Sequence, residues 1–386
     1  MLADLEGSLR KRREQDLWRE RRVLASAQGA RIRIADREYV SFASNDYLGL
    51  ANRRELVAAA CDGARTWGVG AGASHLVVGH QEPHEALEHE LARFVAPCAG
   101  ARALGFSSGY LANLAILTTL AGRRDTIVAD RLDHACLVDG ALLARAKLVR
   151  YPHLDLRAAE RALAAASGRR VIATDAVFSM DGDLAPLPDL LALANAYDAW
   201  LVVDDAHGFG VLGEGRGTLA HFGIESERIV YMGTLGKAAG AAGAFVAAHP
   251  AVIETIVQTA RPYVYTTAAP ALLAHALRRA LALVRDGAHE RDHLASLVAA
   301  FRDGARGLPW TLLSSSTPIQ PLVVGDAATA VRIARALEAQ GLLVPAIRPP
   351  TVPAGTSRLR VSLSAAHTQD DVRALTSALA SVAAHG

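Results

Sequence analysis

Short, mostly apolar segments recur through the middle of this chain, at residues 103–106, 126–129, 147–151, 171–175, 200–204, 229–233 and 243–247. Their length and lack of polar alternation predict strands covered on both faces. Before and between them lie helical patterns, as at 55–66, 111–120 and 135–145. Strands alternating with helices give an α/β chain built on a mostly parallel sheet. After about residue 285 the pattern changes. A helix over 290–304 precedes strands at 319–324, 342–347 and 359–364 and a terminal helix, predicting a smaller C-terminal α/β lobe. Residues 1–28 read as an arginine-rich helix, and 31–34 with 39–42 alternate like a small hairpin. The expected organisation is an N-terminal helix and hairpin segment (1–49), a large domain (50–285) and a small domain (286–386).

Composition sharpens this picture. A chain of 386 residues exceeds one ordinary core, which agrees with a large domain plus smaller lobes. A net charge of +2 argues against a dedicated nucleic-acid binder, and no apolar stretch approaches a membrane span. Cys61, Cys98 and Cys136 are few, odd in number and without metal-type spacing, which fits a reducing, cytoplasmic setting.

Among 41 basic residues only Lys11, Lys147 and Lys237 are lysines. Arginine stays protonated in proteins, whereas a lysine amine can lose its proton and attack a carbonyl. Lys237 follows the apolar run 228–232 and sits in Gly233-Thr-Leu-Gly-Lys-Ala-Ala-Gly-Ala-Ala-Gly243, a turn with few side chains that a planar ligand could approach. The alternative is a surface cation on a glycine loop. Upstream, the apolar run 199–203 ends in Asp204-Asp-Ala-His-Gly208, at the carboxyl end of a strand, where open α/β sheets bind ligands. Lysine, aspartate and histidine together suit pyridoxal phosphate: a Schiff-base lysine, and a carboxylate that keeps the pyridine nitrogen protonated.

Ser44-Asn-Asp-Tyr-Leu-Gly-Leu50, Phe106-Ser-Ser-Gly-Tyr-Leu-Ala-Asn113, Asp130-Arg-Leu-Asp-His134 and Val177-Phe-Ser-Met-Asp-Gly-Asp183 complete a colinear set with Asp204–Gly208 and the lysine loop. This set resembles the α-oxoamine synthases, pyridoxal-phosphate enzymes of the aspartate aminotransferase fold (fold type I). The segment 346–360 resembles the branch that condenses L-alanine with a pimeloyl thioester on coenzyme A or acyl carrier protein, in biotin biosynthesis. A relative pairing glycine with acetyl-CoA is the nearest rival, and a non-catalytic binding module built on the same fold is a further alternative.

The resemblance implies roles. Lys237 carries the cofactor and shuttles the substrate α-proton; Asp204 pairs with the pyridinium nitrogen. His207 and Ser179 bond the phenolic oxygen, and His134 either stacks on the ring or caps the helix after it. Gly109 and Tyr110 open a helix that holds the phosphate, with Thr234 adding a hydroxyl. A homodimer is implied, with the active site at the subunit boundary and Thr266 or Thr267 reaching the partner's phosphate. Arg360 suits the amino-acid carboxylate, Arg19 and Thr351 the acyl substrate, and Asn45, His134 and Arg348 lie in substrate-contacting segments. The stretch 72–79 departs from the family's glycine- and serine-richer loop, which puts contacts from His75 and Leu76 in doubt.

Other signals are weaker. Gly68-Val-Gly-Ala-Gly72 follows a helical pattern rather than a strand, and Gly236-Lys237 lacks the spacing of a phosphate loop. His84 and His89 miss the zinc-protease spacing by one residue, so His80, His84 and His89 read as a solvated helix start and no metal is expected. Cys136 reads as a small buried side chain.

Overall fold

The computed structural model describes residues 1–14 and 17–384. All seven expected central strands form one seven-stranded sheet, in the order Arg102–Phe106, Ala244–Ala248, Ile229–Thr234, Ala199–Asp204, Arg170–Asp175, Thr126–Asp130 and Lys147–Tyr151. Ala244–Ala248 runs antiparallel to both neighbours, and the remaining pairs are parallel. Successive side chains point to opposite faces. Leu201, Val203, Tyr231 and Phe245 enter one core, and Val202, Val230, Met232 and Val246 the other. The helix Gly109–Leu120 lies on the second face. Lys147–Tyr151 is one of the two edge strands, and its exposed Lys147 and Arg150 discourage further pairing.

The C-terminal lobe holds a four-stranded antiparallel sheet, Thr311–Leu312, Ile319–Gly325, Ser357–Ser362 and Ala346–Ile347. The strand expected over 342–347 is split. Leu342–Leu343 pairs in parallel with Arg37–Ser41, whereas Ala346–Ile347 pairs with Ser357–Ser362. Pro345 lies between them and has no N–H for a ladder, though its carbonyl accepts from the Arg360 amide at 3.1 Å. Through the first pairing the N-terminal hairpin, Arg31–Ile34 with Arg37–Ser41, joins the C-terminal lobe. The chain then passes Ser362 and Ala365, whose amides donate to Phe42 and Tyr47 carbonyls at 2.8 Å. These bonds fix Asn45 and Tyr47 beside Arg360.

The N-terminal helix is shorter than expected. It spans Leu2–Glu14 and buries no residue. The helix expected over 1–28 also crossed residues 15 and 16, which lie outside the described residues. Further on, β-type pairing displaces the helix: Leu24 bridges Ile34, the Ala25 amide donates to the Arg33 carbonyl at 2.7 Å, and Ser26 Oγ accepts from the Arg33 amide at 3.0 Å. A charged helix with no apolar face gains little from packing, so tertiary pairing overrides its propensity. No described helix is long and apolar enough to cross a membrane.

Candidate active site

Parallel strands deliver their carboxyl ends to one edge of the large sheet, and a cavity of about 210 Å³ opens there. It is lined by Gly109, Tyr110, His134, Cys136, Asp175, Ser179, Asp204, Ala206, His207, Met232, Thr234 and Lys237. Eight residues expected from the sequence therefore meet: Gly109, Tyr110, His134, Ser179, Asp204, His207, Thr234 and Lys237.

At the end of Ala199–Asp204, strand alternation separates two adjacent acids. Asp204 turns to the cavity. Asp205 turns to the opposite core, where it accepts from the Tyr231 hydroxyl at 2.9 Å and the Thr218 amide at 2.7 Å. Burial pushes the Asp205 carboxyl up to about 7, so it serves packing rather than the cavity. Asp204 is held by the Ala206 amide at 3.0 Å and by Asn113 Nδ2 at 2.7 Å. Asn113 is fully buried, one turn into the helix that opens at Gly109, and its Nδ2 also reaches Cys136 Sγ at 3.1 Å.

A relay of side chains crosses the other wall. Lys237 Nζ lies 2.9 Å from His207 Nε2, His207 Nδ1 lies 2.6 Å from the Tyr47 hydroxyl, and that hydroxyl donates to Asn45 Oδ1 at 3.2 Å. With the Tyr47 proton directed to Asn45, His207 Nδ1–H donates to Tyr47 and Nε2 accepts from the lysine amine. Arg360 anchors the far end, donating to Asn45 Oδ1 at 3.2 Å, Ser362 Oγ at 2.7 Å and the Ser179 carbonyl at 2.5 Å. Burial, reinforced by the Lys237 and Arg360 cations, holds His207 well below the usual histidine range, so the ring is neutral. Burial also lowers the Lys237 amine, against the pull of Asp204 and Asp175. A buried lysine shifted in this direction is closer to a free base than a surface lysine.

The glycines of the lysine loop have a different reason from the one expected. Gly240 has φ +72°, and a Cβ there would come within 2.6 Å of Leu50, while a Cβ on Gly243, at φ +103°, would lie 3.1 Å from the Phe106 carbonyl. Close backbone packing and left-handed geometry, rather than room for a ligand, demand glycine at both. Thr234 Oγ1 spans this loop, donating to the Gly243 carbonyl at 3.1 Å and accepting from the Gly236 amide at 3.3 Å.

A helix N-terminus forms a further part of the cavity wall. Ser108 caps the helix Gly109–Leu120, its Oγ accepting from the Leu111 amide, and the first-turn amides of Gly109 and Tyr110 face outward from the helix end. Tyr110 is exposed and hydrogen-bonded to Asp139. His134 caps Ala135–Ala144, its Nδ1 accepting from the Cys136 amide at 3.3 Å, and it also lines the cavity. Its amide donates to Asp175 at 3.2 Å. Burial and the nearby Asp204 raise Asp175 well above the ordinary carboxylate range.

Arg19, Arg348 and Thr351 do not enter this cavity. They line a second one of about 200 Å³ with Arg12, Leu17 and Pro349–Pro350, where Arg348 donates to the Trp18 carbonyl at 3.0 Å. Arg360 connects the two regions, because Ala346–Ile347, which leads into the second cavity, pairs with its own strand. Residues 75–79 form a single turn of π-helix, and a Cβ on Gly79 would fall 2.1 Å from the Ala73 carbonyl. Thr267 forms a backbone bridge to Ser74 beside that turn.

Tyr47, Asn113, Cys136 and Asp175 were not anticipated as site residues. Asn113 left a signal, as a lone amide within the otherwise apolar run 111–117. Cys136 is buried as expected, yet it touches the site: Sγ lies 2.8 Å from His134 Nδ1 and 3.9 Å from Asp204 Oδ2.

The class I and II aminotransferase family profile matches residues 37–379. The chain is 57% identical to the 8-amino-7-oxononanoate synthase of Nitrosospira multiformis, over 96% of this chain and 93% of that one. It is likewise 57% identical to that of Polaromonas naphthalenivorans, over 98% and 97%. The chain belongs to the 8-amino-7-oxononanoate synthase family. Among solved structures, serine palmitoyltransferase from S. paucimobilis with pyridoxal phosphate and myriocin bound superposes with a TM-score of 0.92 at 27% identity, covering 100% of this chain and 98% of that one. The Francisella tularensis 8-amino-7-oxononanoate synthase gives 0.78 at 32% identity, covering 90% and 98%. The fold is that of fold type I pyridoxal-phosphate enzymes, and pyridoxal phosphate is the cofactor. The donor set fits it: a lysine amine, a carboxylate fixed by an amide, a neutral imidazole and a helix N-terminus face one cavity.

Proposed function

We propose that this chain condenses L-alanine with a pimeloyl thioester, with loss of carbon dioxide and release of the thiol carrier, to give 8-amino-7-oxononanoate. The observation that carries the reading is the convergence of Lys237, His207 and Asp204 in one cavity of a chain 57% identical to synthases of that name. Bound there, pyridoxal phosphate supplies an aldehyde for amine capture and a pyridinium ring that draws electrons from the α-carbon of alanine.

The chain's residues do the rest. Asp204, held in place by Asn113, keeps the pyridine nitrogen protonated. His207 and Ser179 set the charge of the phenolic oxygen. The Gly109 and Tyr110 amides and Thr234 hold the phosphate. His134 packs against the ring face. Lys237 Nζ, eased toward its free-base form by burial, takes the α-proton of alanine and returns it to product. Arg360, preorganised by Asn45, Ser362 and Ser179, receives the alanine carboxylate. The cavity of Arg19, Arg348 and Thr351 accepts the acyl substrate, whose methylenes each contribute about 0.8 kcal/mol when buried.

The active unit is a homodimer in this reading. Leu76, Val77, Val78 and Tyr265 are 50%, 71%, 74% and 72% exposed beside Thr266 and Thr267, an apolar surface suited to a second copy. The discriminating assay is thiol release from alanine plus pimeloyl-CoA against glycine plus acetyl-CoA, with pimeloyl-acyl carrier protein run in parallel to identify the carrier.

A further inference from the structure

The histidines at the start of the helix Glu82–Val95 do not form the solvated row expected from their spacing. His84 is buried, and both ring nitrogens are engaged: Nδ1 accepts from the Gln81 amide at 3.1 Å, and Nε2 bonds the Ala269 carbonyl at 2.8 Å. It is a cap and a strut. His80, from the turn before the helix, folds back instead. Its Nε2 lies 3.0 Å from Glu85 Oε2, and Glu85 Oε1 lies 3.1 Å from His89 Nε2. Glu88, one turn along the same helix face, is buried and accepts from the Gly105 amide at 2.7 Å; burial pushes its carboxyl up to about 8, so a metal ion that binds there displaces a proton.

We propose that His80, Glu85 and Glu88 form a binding site for a divalent transition metal of the zinc type, separate from the cofactor cavity. One ligand atom from each lies within 4.8 Å of the other two, so a single ion can touch all three. One imidazole and two carboxylates suit zinc, and His89 stands ready at the second oxygen of Glu85. The outer partner is also in place. His80 Nδ1 lies 2.9 Å from His75 Nδ1, and His75 stacks on Tyr263 with ring centroids 5.3 Å apart. With Nε2 on the metal, the His80 Nδ1–H would donate to His75 Nδ1, an outer bond that fixes the ring orientation. The ion would tie the π-helical turn His75–Gly79 to the following helix. The sequence hid this site because its histidine ligand precedes the helix, while the histidines within the helix have the wrong spacing for a shared metal.

The test is calorimetric titration of the holoenzyme with zinc chloride, with parallel melting curves. One saturable site per chain is expected, with affinity reduced at least tenfold in His80→Asn and in Glu85→Gln, both of which alter side chains near the surface. Cys61→Ser, which removes an exposed thiol, leaves binding intact. Zinc raises the melting temperature of the parent protein and of Cys61→Ser, but not of the other two variants. Absence of a saturable site overturns the proposal. So does binding that survives in both His80→Asn and Glu85→Gln, or that is lost only in Cys61→Ser.

Discussion

Asn113 and Asp204 meet at 2.7 Å inside the protein, one from a helix on the second face of the sheet and the other from a central strand. The bond ties the helix that presents amides at one end of the cavity to the carboxylate at its base. Asp204 therefore arrives already oriented. Replacing Asn113 by Leu removes this bond and leaves Asp204 short of a partner, a change worth about 1–3 kcal/mol for a buried polar group. Turnover should fall roughly tenfold to a hundredfold while alanine KM changes less. Steady-state kinetics on the folded variant check this, and unchanged kcat would remove Asn113 from the account.

Asp204→Asn should retain cofactor but lose at least a hundredfold in turnover, because the pyridine nitrogen is no longer held protonated. Cofactor content measured from absorbance, beside thiol release, separates the two effects.

Lys237→Ala should abolish covalent fixation of the cofactor by borohydride. Peptide mapping of the reduced parent should find the label on Lys237 and on neither Lys11 nor Lys147.

Acyl and amino-acid recognition should separate by cavity. Arg19→Ala and Thr351→Val should raise KM for the pimeloyl thioester severalfold and leave alanine KM close to the parent value. Arg360→Lys should do the reverse, since lysine cannot reproduce the forked contacts to Asn45 and Ser179.

A stability prediction lies outside the chemistry. His153 bridges Asp130 at 3.0 Å and Asp183 at 2.8 Å, and although burial opposes the charge, these two carboxylates push the imidazole up to about 10. An unfolded histidine titrates near 6.5, as is typical of the free side chain. The folded pKa is the higher one, so the ion pair stabilises fully below about pH 6.5 and its contribution falls as pH rises toward 10. His153→Asn should lower the melting temperature most at pH 6, with the gap to the parent closing by pH 10. A gap independent of pH would contradict the charged bridge.

The large sheet was legible in the sequence because its central strands are short apolar runs buried on both faces, and only the edge strand Lys147–Tyr151 carries two exposed cations. Lys237, Asp204, His207 and the phosphate helix were legible because their chemistry stands at strand ends and helix starts. Long-range geometry was not. Nothing local shows that Tyr47 meets His207, 160 positions away, or that Pro345 divides one apolar run between two sheets. The glycines of the lysine loop were found, but their reason lies in Leu50 and Phe106, which only the folded chain brings near. The N-terminal helix ends at Glu14 although the charged pattern continues, because the pairing of Leu24 and Ala25 with Ile34 and Arg33 is not visible in local sequence.

The central claim is substrate choice. Free-thiol release by the purified holoenzyme should be measured with alanine plus pimeloyl-CoA and with glycine plus acetyl-CoA under matched conditions. The account predicts kcat/KM at least a hundredfold higher for the first pair, since four additional buried methylenes at about 0.8 kcal/mol each supply that discrimination. Equal or faster release from glycine and acetyl-CoA would contradict it.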